Sequence, residues 1–324
     1  MRALELQRLE GPDGLRVVER AEPPESGGVR IDVRAAGVSF PDLLMSQGRY
    51  QQKPSLPAIL GIEVAGLVLS CPAGARVQVG ERVWAALDGG GFADVVEVAP
   101  ERVFALPEGL DFCAGAALAT NYLTAVFALL RRGQLSRGET VLVLGAAGGL
   151  GTALVGVAAA LGAEVLAVVS TEEKTATARA AGATTVLVGE QWTAEVRGRT
   201  GGRGVDLVAD VVGGESTLEA VRSTAPEGRV LVLGFTAGSI PSIPTNRLLL
   251  RNVSLTGVGL GALLPAVPDL LAETAEALEP LLRAGLRPVI GGVRDLADGA
   301  EALRALERRT TLGKQILTLG RPTA

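Results

Sequence analysis

The chain has 324 residues, a formal charge of −4, 48% hydrophobic residues, 43 glycines, only 3% aromatics and no histidine. This length and apolarity fit a folded protein of about two domains, and its interspersed charges offer no basic track for nucleic acid. The missing histidine excludes Ser-His-Asp and Cys-His nucleophiles, HExxH metal sites and any imidazole base.

Two cysteines, Cys71 and Cys113, are too few for a disulfide framework or a four-thiolate zinc site. Arg2, Glu5 and Arg8 interrupt any signal-like apolar run, so a reducing cytoplasm is the default location. Cys113 sits in apolar DFCAGAAL and reads as an inert core thiol, whereas Cys71 precedes a proline in a turn.

From Leu4 to about Pro107 the pattern is one of short strands between turns: GLRVVERAEPP, GVRIDVRAAGV, IEVAGLVLS, VGERVWAAL and FADVVEVAP. The texture then changes. A helix-like run from about Ala114 through Leu130 leads into alternating strands and helices: VLVLG, a helix from Gly149 to Leu161, EVLAVVS, a helix from Glu172 to Ala181, TTVLV, VDLVADVV, RVLVLGF and NVSLTGVGL. Such alternation predicts a parallel, doubly wound sheet. Beyond about Gly261 come the helix-like LLAETAEALEPLLRAG, a strand PVIGGV, a helix LADGAEALRALERR and a last strand KQILTL, expected to fold back onto the first unit.

The uncharged stretches 112–130 and 140–163 are long enough to span a bilayer. The first carries Asn121, Tyr122 and Thr124 across its middle and the second is broken by a glycine turn, so both read as buried core rather than membrane spans.

The strand Val141 to Leu144 runs into Gly145-Ala-Ala-Gly148-Gly149-Leu150-Gly151 and a small-residue helix. Glycines at this strand-to-helix turn permit a tight bend and a close backbone approach to a pyrophosphate, with a helix N-terminus aimed at its charge. The next strand ends at Ser170-Thr171, where an NAD site usually has an acid for the ribose 2′-hydroxyl. Hydroxyls there, with Lys174 four residues on, suit a 2′-phosphate and favour NADPH, although Glu172 and Glu173 dilute the positive potential.

With these residues in place, the sequence resembles the zinc-independent quinone oxidoreductases, the zeta-crystallin-like branch of the medium-chain dehydrogenase/reductase superfamily. The resemblance runs nearly end to end, through AAGVSFPDLLMSQGRY (35–50), PSLPAILGIEVAGLV (54–68), the 90–110 segment, LATNYLTAVFALL (118–130), ETVLVLGAAGGLG (139–151), GVDLVADVVGG (204–214), the 228–252 segment and LGKQILTL (312–319). Zinc alcohol dehydrogenases are also similar, but Ser39 and Ile62 stand where their metal-binding Cys and His would be, so no metal is expected.

The resemblance implies an α/β protein with a GroES-like, β-rich catalytic domain (1–115 and 262–324) around a Rossmann doubly wound parallel-sheet domain (116–261). It implies that Gly145, Gly148, Gly149, Leu150 and Gly151 cradle the pyrophosphate and that Ser170, Thr171 and Lys174 hold the 2′-phosphate. It also implies that Thr124, Gly213, Gly234, Phe235 and Lys314 serve the nicotinamide half. Two departures stand out: Gly189 where several relatives have a tyrosine near the adenine, and Ser39 where many have asparagine. The strand Val253 to Gly259 resembles an edge strand that pairs across a homodimer.

A hydride from the nicotinamide reduces a quinone directly, with protons taken from water, so proximity and a dry site suffice. An enone or enoyl-thioester needs a proton delivered to carbon, for which Tyr50 is the first candidate and Tyr122 the second. Each phenol serves equally as a packed cap. Neither fits a YxxxK spacing, since Lys53 follows Tyr50 at i+3 and position 126 is valine. Ser39, the third catalytic candidate, and Asp42 share one turn, where Asp42 reads first as a helix cap. The expected function is NADPH-dependent, zinc-free reduction of quinones or similar activated carbonyl compounds, the alternatives being an enone reductase on the same scaffold and a non-catalytic NADP(H)-binding sensor.

Overall fold

The computed structural model describes residues 1–320. The chain divides into two compact units, one made of Met1–Asn121 with the chain from Ile290, the other of Tyr122–Val289.

In the second unit, the run Thr140–Leu144 is buried almost without alternation, as befits a strand covered on both faces. It pairs in parallel with Glu164–Val169 on one side and Val205–Asp210 on the other. Thr185–Val188 lies beyond the former, Thr224–Val232 and then Ser254–Gly257 beyond the latter, giving six parallel strands in the order third, second, first, fourth, fifth, sixth. The order reverses between Thr140–Leu144 and Val205–Asp210, and the carboxyl ends of strands flanking such a reversal are where open α/β sheets bind ligands. Ser254–Gly257 is an edge strand with mostly exposed side chains.

In the first unit, the ten-residue strand Val29–Val38 is the hub of a seven-stranded sheet, pairing with Glu63–Ser70, Val95–Val98 and Lys314–Thr318. Lys314–Thr318 in turn pairs with Ile290–Asp295, and Glu63–Ser70 with Arg82–Ala86. A small sheet of Leu15–Glu19, Arg2–Leu6 and Ala58–Ile59 completes the unit. Its core is aliphatic with one large ring, Phe92.

The return to the first unit comes later than expected. Helix Leu270–Arg283 belongs to the second unit, packing on the Leu123–Val126 helix, so the boundary falls at Ile290 rather than at residue 262. Its amphipathic face, with Leu271, Thr274, Ala275, Leu278 and Leu282 buried, suits either unit, and periodicity alone does not name the partner. The last four residues of the expected 262–324 segment lie outside the described residues.

The run Phe112–Arg132 is long and apolar enough to cross a bilayer by composition, but 72% of its most apolar window is buried inside the protein. It is helical with π-type turns at Leu118–Tyr122 and Phe127–Arg132. The 140–163 stretch is a strand, a turn and the helix Gly149–Ala160, as its glycines predict.

Candidate active site

The glycine turn of the second unit allows no other residue at two points. Gly145 has φ +72°, and a Cβ there would lie 2.8 Å from Val211 Cγ2. At Gly151 a Cβ would lie 2.1 Å from the Gly145 carbonyl oxygen, so the first helical turn closes directly over the bend. Gly148, Gly149 and Leu150 are partly exposed at the N-terminus of a twelve-residue helix, whose free amides and dipole suit an anion.

At the tip of the neighbouring strand, Lys174 Nζ donates to Ser170 Oγ at 3.0 Å, with Ser170 and Thr171 exposed. The structure thus brings together the hydroxyl and ammonium that the sequence singles out there. Gly189 ends the next strand at φ +81° with nothing within 4 Å of where a side chain would begin.

Sequence reasoning missed Asp210, which is 1% exposed at the carboxyl end of its strand. Its Oδ1 accepts from the Val212 and Gly213 amides, both at 2.9 Å, and its Oδ2 from Thr217 Oγ1 at 2.5 Å. These bonds fix the 211–214 turn, where a Cβ on Gly213 would lie 2.7 Å from Phe235 Cδ1. The Gly213 and Gly234–Phe235 turns therefore touch, as a shared wall requires, with the Phe235 ring partly exposed. Thr124 is half-buried in the Leu123–Val126 helix.

Tyr122 lies at the start of the second unit, only 2% exposed, and its hydroxyl donates to the Arg287 carbonyl at 3.2 Å. Burial drives its phenol pKa upward. The expectation of Tyr122 as a proton donor is corrected: its proton is committed to a backbone carbonyl inside the unit.

The polar centre of the first unit is assembled by sheet register. Gln315 pairs with Val38 in an antiparallel ladder, so the next step sets Lys314 opposite Ser39. Ala36 pairs with Val64, which likewise sets Glu63 beside Gly37, where a Cβ would lie 2.7 Å from the Glu63 carboxyl carbon. Lys314 Nζ donates to Ser39 Oγ at 2.7 Å and to Glu63 Oε1, which also accepts from Ser39 Oγ at 2.8 Å. Glu63 Oε2 accepts from the Thr120 amide at 2.9 Å. Glu63 is 0% and Lys314 3% exposed.

Lys314 was expected at the cofactor. Its ammonium is buried against Glu63 and Ser39. Glu63, absent from the expected site, carries the same signal that Asp210 does: an acid inside an otherwise apolar strand, IEVAGLV or VDLVAD.

Asp42 is fully buried beside this cluster, accepting from the Ser39 amide at 2.8 Å and the Gly61 amide at 3.1 Å. It caps helix Phe40–Ser46, as its position in the turn suggests. Desolvation outweighs these bonds and the nearby Lys314 charge, pushing its carboxyl up to about 7. Tyr50 is half-buried against the apolar core, and burial, helped by the Asp42 charge, raises its phenol above the ordinary value. Burial also raises the Cys113 thiol, which fits an inert role, and Cys71 Sγ lies 3.3 Å from the Val77 carbonyl.

Residues 25–108 match the alcohol dehydrogenase GroES-like domain and residues 149–277 the zinc-binding dehydrogenase domain. Zinc does not fit the residues present: there is no histidine, both thiols are free, and among the described residues no three His, Cys, Asp or Glu side chains gather to hold a metal. Quinone oxidoreductase-like protein 2 of Bos taurus is 36% identical, over 92% of this chain and 86% of its own. The quinone oxidoreductase of Thermus thermophilus, solved alone and with NADPH, is similar with a TM-score of 0.86 and 38% identity, covering 98% of this chain and 100% of that one. A probable oxidoreductase of Mycobacterium abscessus is similar at TM-score 0.91 and 43% identity, covering 98% and 99%. End-to-end likeness, a GroES-like domain and a doubly wound parallel sheet with its glycine turn together make this chain an oxidoreductase belonging to the quinone oxidoreductase-like family of the medium-chain dehydrogenase/reductase superfamily.

Proposed function

We propose that the protein reduces quinones with NADPH by direct hydride transfer, without zinc. The observation that carries this reading is the tip of the second Rossmann strand, where Lys174 and Ser170 are hydrogen-bonded in place of an acid, beside a glycine turn that only a close-packed backbone can form. The NADPH complex of the Thermus thermophilus relative supports it.

When bound, NADPH supplies a hydride from nicotinamide C4. The quinone takes up that hydride and a proton from water to give the hydroquinone and NADP⁺. The amides at the start of helix Gly149–Ala160 hold the pyrophosphate, and Ser170, Thr171 and Lys174 hold the 2′-phosphate. Asp210 keeps the Gly213 turn against Gly234 and Phe235 as a wall for the nicotinamide half, which Thr124 also serves in this reading. These groups orient and exclude water, and the chain needs no imidazole for that.

A second reading, reduction of enones, is favoured by Tyr50 alone. Its phenol is protonated at neutral pH, the state a donor to carbon requires.

We also propose a homodimer formed through the open edge strand Ser254–Gly257, which carries exposed Leu255 and follows exposed Leu249 and Leu250. Light scattering at micromolar concentration checks it, a monomer overturning it. Free, half-buried thiols suit a reducing cytoplasm.

The functional test is oxidation of NADPH and NADH by chelator-treated protein against a panel of quinones and enones. Quinone turnover is expected, with an NADPH preference that falls about tenfold in Lys174→Ala while NADH turnover holds, the size of one charge-assisted hydrogen bond. Cofactor binding without turnover would move the reading to a sensor, and loss of activity with the chelator would refute zinc independence.

A further inference from the structure

Among the described residues of the first unit, the sheet buries an ammonium and a carboxylate together at Lys314 and Glu63. A buried ion pair is a poor device for stability, since two well-packed apolar residues serve as well or better. Its hydrogen bonds show a different use. The Glu63 carboxylate takes one bond from the Ser39 hydroxyl and one from the Thr120 amide, and Lys314 bonds to both Ser39 and Glu63. Four places remote in sequence are thereby tied at one point: the turn that leads into helix Phe40–Ser46, the start of strand Glu63–Ser70, the π-type turn Leu118–Tyr122, and the last strand.

We propose that Glu63 and Lys314 are positioning residues for turnover: the carboxylate holds Ser39 and Thr120 at a fixed separation, and the ammonium, bonded to both Glu63 and Ser39, keeps that carboxylate aimed. This rests on the reading of Ser39 as part of the quinone-reducing site. Neither Glu63 nor Lys314 touches the reacting atoms. They act through the Ser39 hydroxyl and through the backbone of the turn that carries Thr120. The Thr120 bond fills the second oxygen, so that one carboxylate spans the turn before helix Phe40–Ser46 and the π-type turn Leu118–Tyr122.

The test compares two neutral pairs in the intact protein, with NADPH and p-benzoquinone. Glu63→Gln/Lys314→Met keeps an amide oxygen for the Thr120 amide and a polar group for Ser39. Glu63→Leu/Lys314→Met removes both tethers while leaving no buried charge unpaired. The NADPH dissociation constant, followed by fluorescence, is expected to be similar in the two, whereas the leucine pair melts lower because the Ser39 hydroxyl and the Thr120 amide lose their acceptor. The leucine pair is expected to lose at least tenfold in kcat, with the glutamine pair recovering most of that loss, and KM changing less than kcat. Equal kcat per folded molecule in the two pairs would overturn the proposal.

Should the leucine pair fail to fold, the same question is put through Ser39→Ala, alone and in the glutamine background. Losses that fail to add are expected from one network, and fully additive losses would overturn it. A Ser39→Ala variant of full activity would instead remove Ser39 from the site, and no quinone turnover by the unaltered chain would sink the functional reading before any pair is compared.

Discussion

Residues 145–151 and the group Ser39, Asp42, Glu63 and Lys314 hold their shapes by opposite means. In the nucleotide-binding unit the bend is made of backbone: a glycine at φ +72°, a second glycine packed onto its carbonyl, and a helix N-terminus, all within one short stretch of chain. In the GroES-like unit the constraint is made of side chains, drawn from both ends of the sequence and buried with their charges. The first arrangement tolerates solvent because its groups are amides that water satisfies before a ligand arrives. The second does not, because a lone ammonium or carboxylate at that depth has nothing to exchange for water.

The sharpest way to break the contrast is Glu63→Leu alone. It leaves the buried Lys314 ammonium without its carboxylate partner, with an expected loss of about 3–5 kcal/mol of stability. Thermal or denaturant unfolding would read it, and a loss below about 1 kcal/mol would mean that water or another acid reaches Lys314. Gly151→Ala probes the other side. Its Cβ meets the Gly145 carbonyl oxygen, so overpacking of about 1–3 kcal/mol is expected together with at least a tenfold weaker NADPH dissociation constant. Titration by fluorescence checks it; unchanged affinity would show that the turn is not where the cofactor lies.

The smallest effect concerns pH. Unfolded Asp42 ionises near 3.8 and folded Asp42 near 7, so between those values the folded state holds an extra proton. Stability from this group is therefore greatest at the acid end of that window and declines as pH rises through it. Asp42→Asn should lose that slope, so that its melting temperature relative to the unaltered chain improves from pH 5 to pH 8. A difference that stays flat, or moves the other way, would show that the carboxyl ionises in the folded state well below 7.

The nucleotide half was legible because its signals are local. A buried β-branched strand, a glycine bend and a small-residue helix are adjacent in sequence, and their steric requirements are met within seven residues. The hydroxyls and lysine at 170–174 were legible for the same reason, since the bend after the strand and the short turn Glu172–Lys174 bring Lys174 back to Ser170. The Asp42 cap also lies three residues from the amide it binds.

What the sequence determined, then, was everything that neighbouring residues settle among themselves: the alternation of strands and helices, the glycine turn, the missing acid, the empty metal positions and the family to which these belong. The tertiary structure decided the rest. It gave helix Leu270–Arg283 to the nucleotide-binding unit, turned Tyr122 inward onto the Arg287 carbonyl, and set Lys314 against Glu63. Each of these depends on which distant surface an amphipathic face or a long side chain meets. Pairing Lys314 with Glu63 across 251 residues of chain needs the register of two separate strand ladders on Val29–Val38, which only the folded sheet supplies.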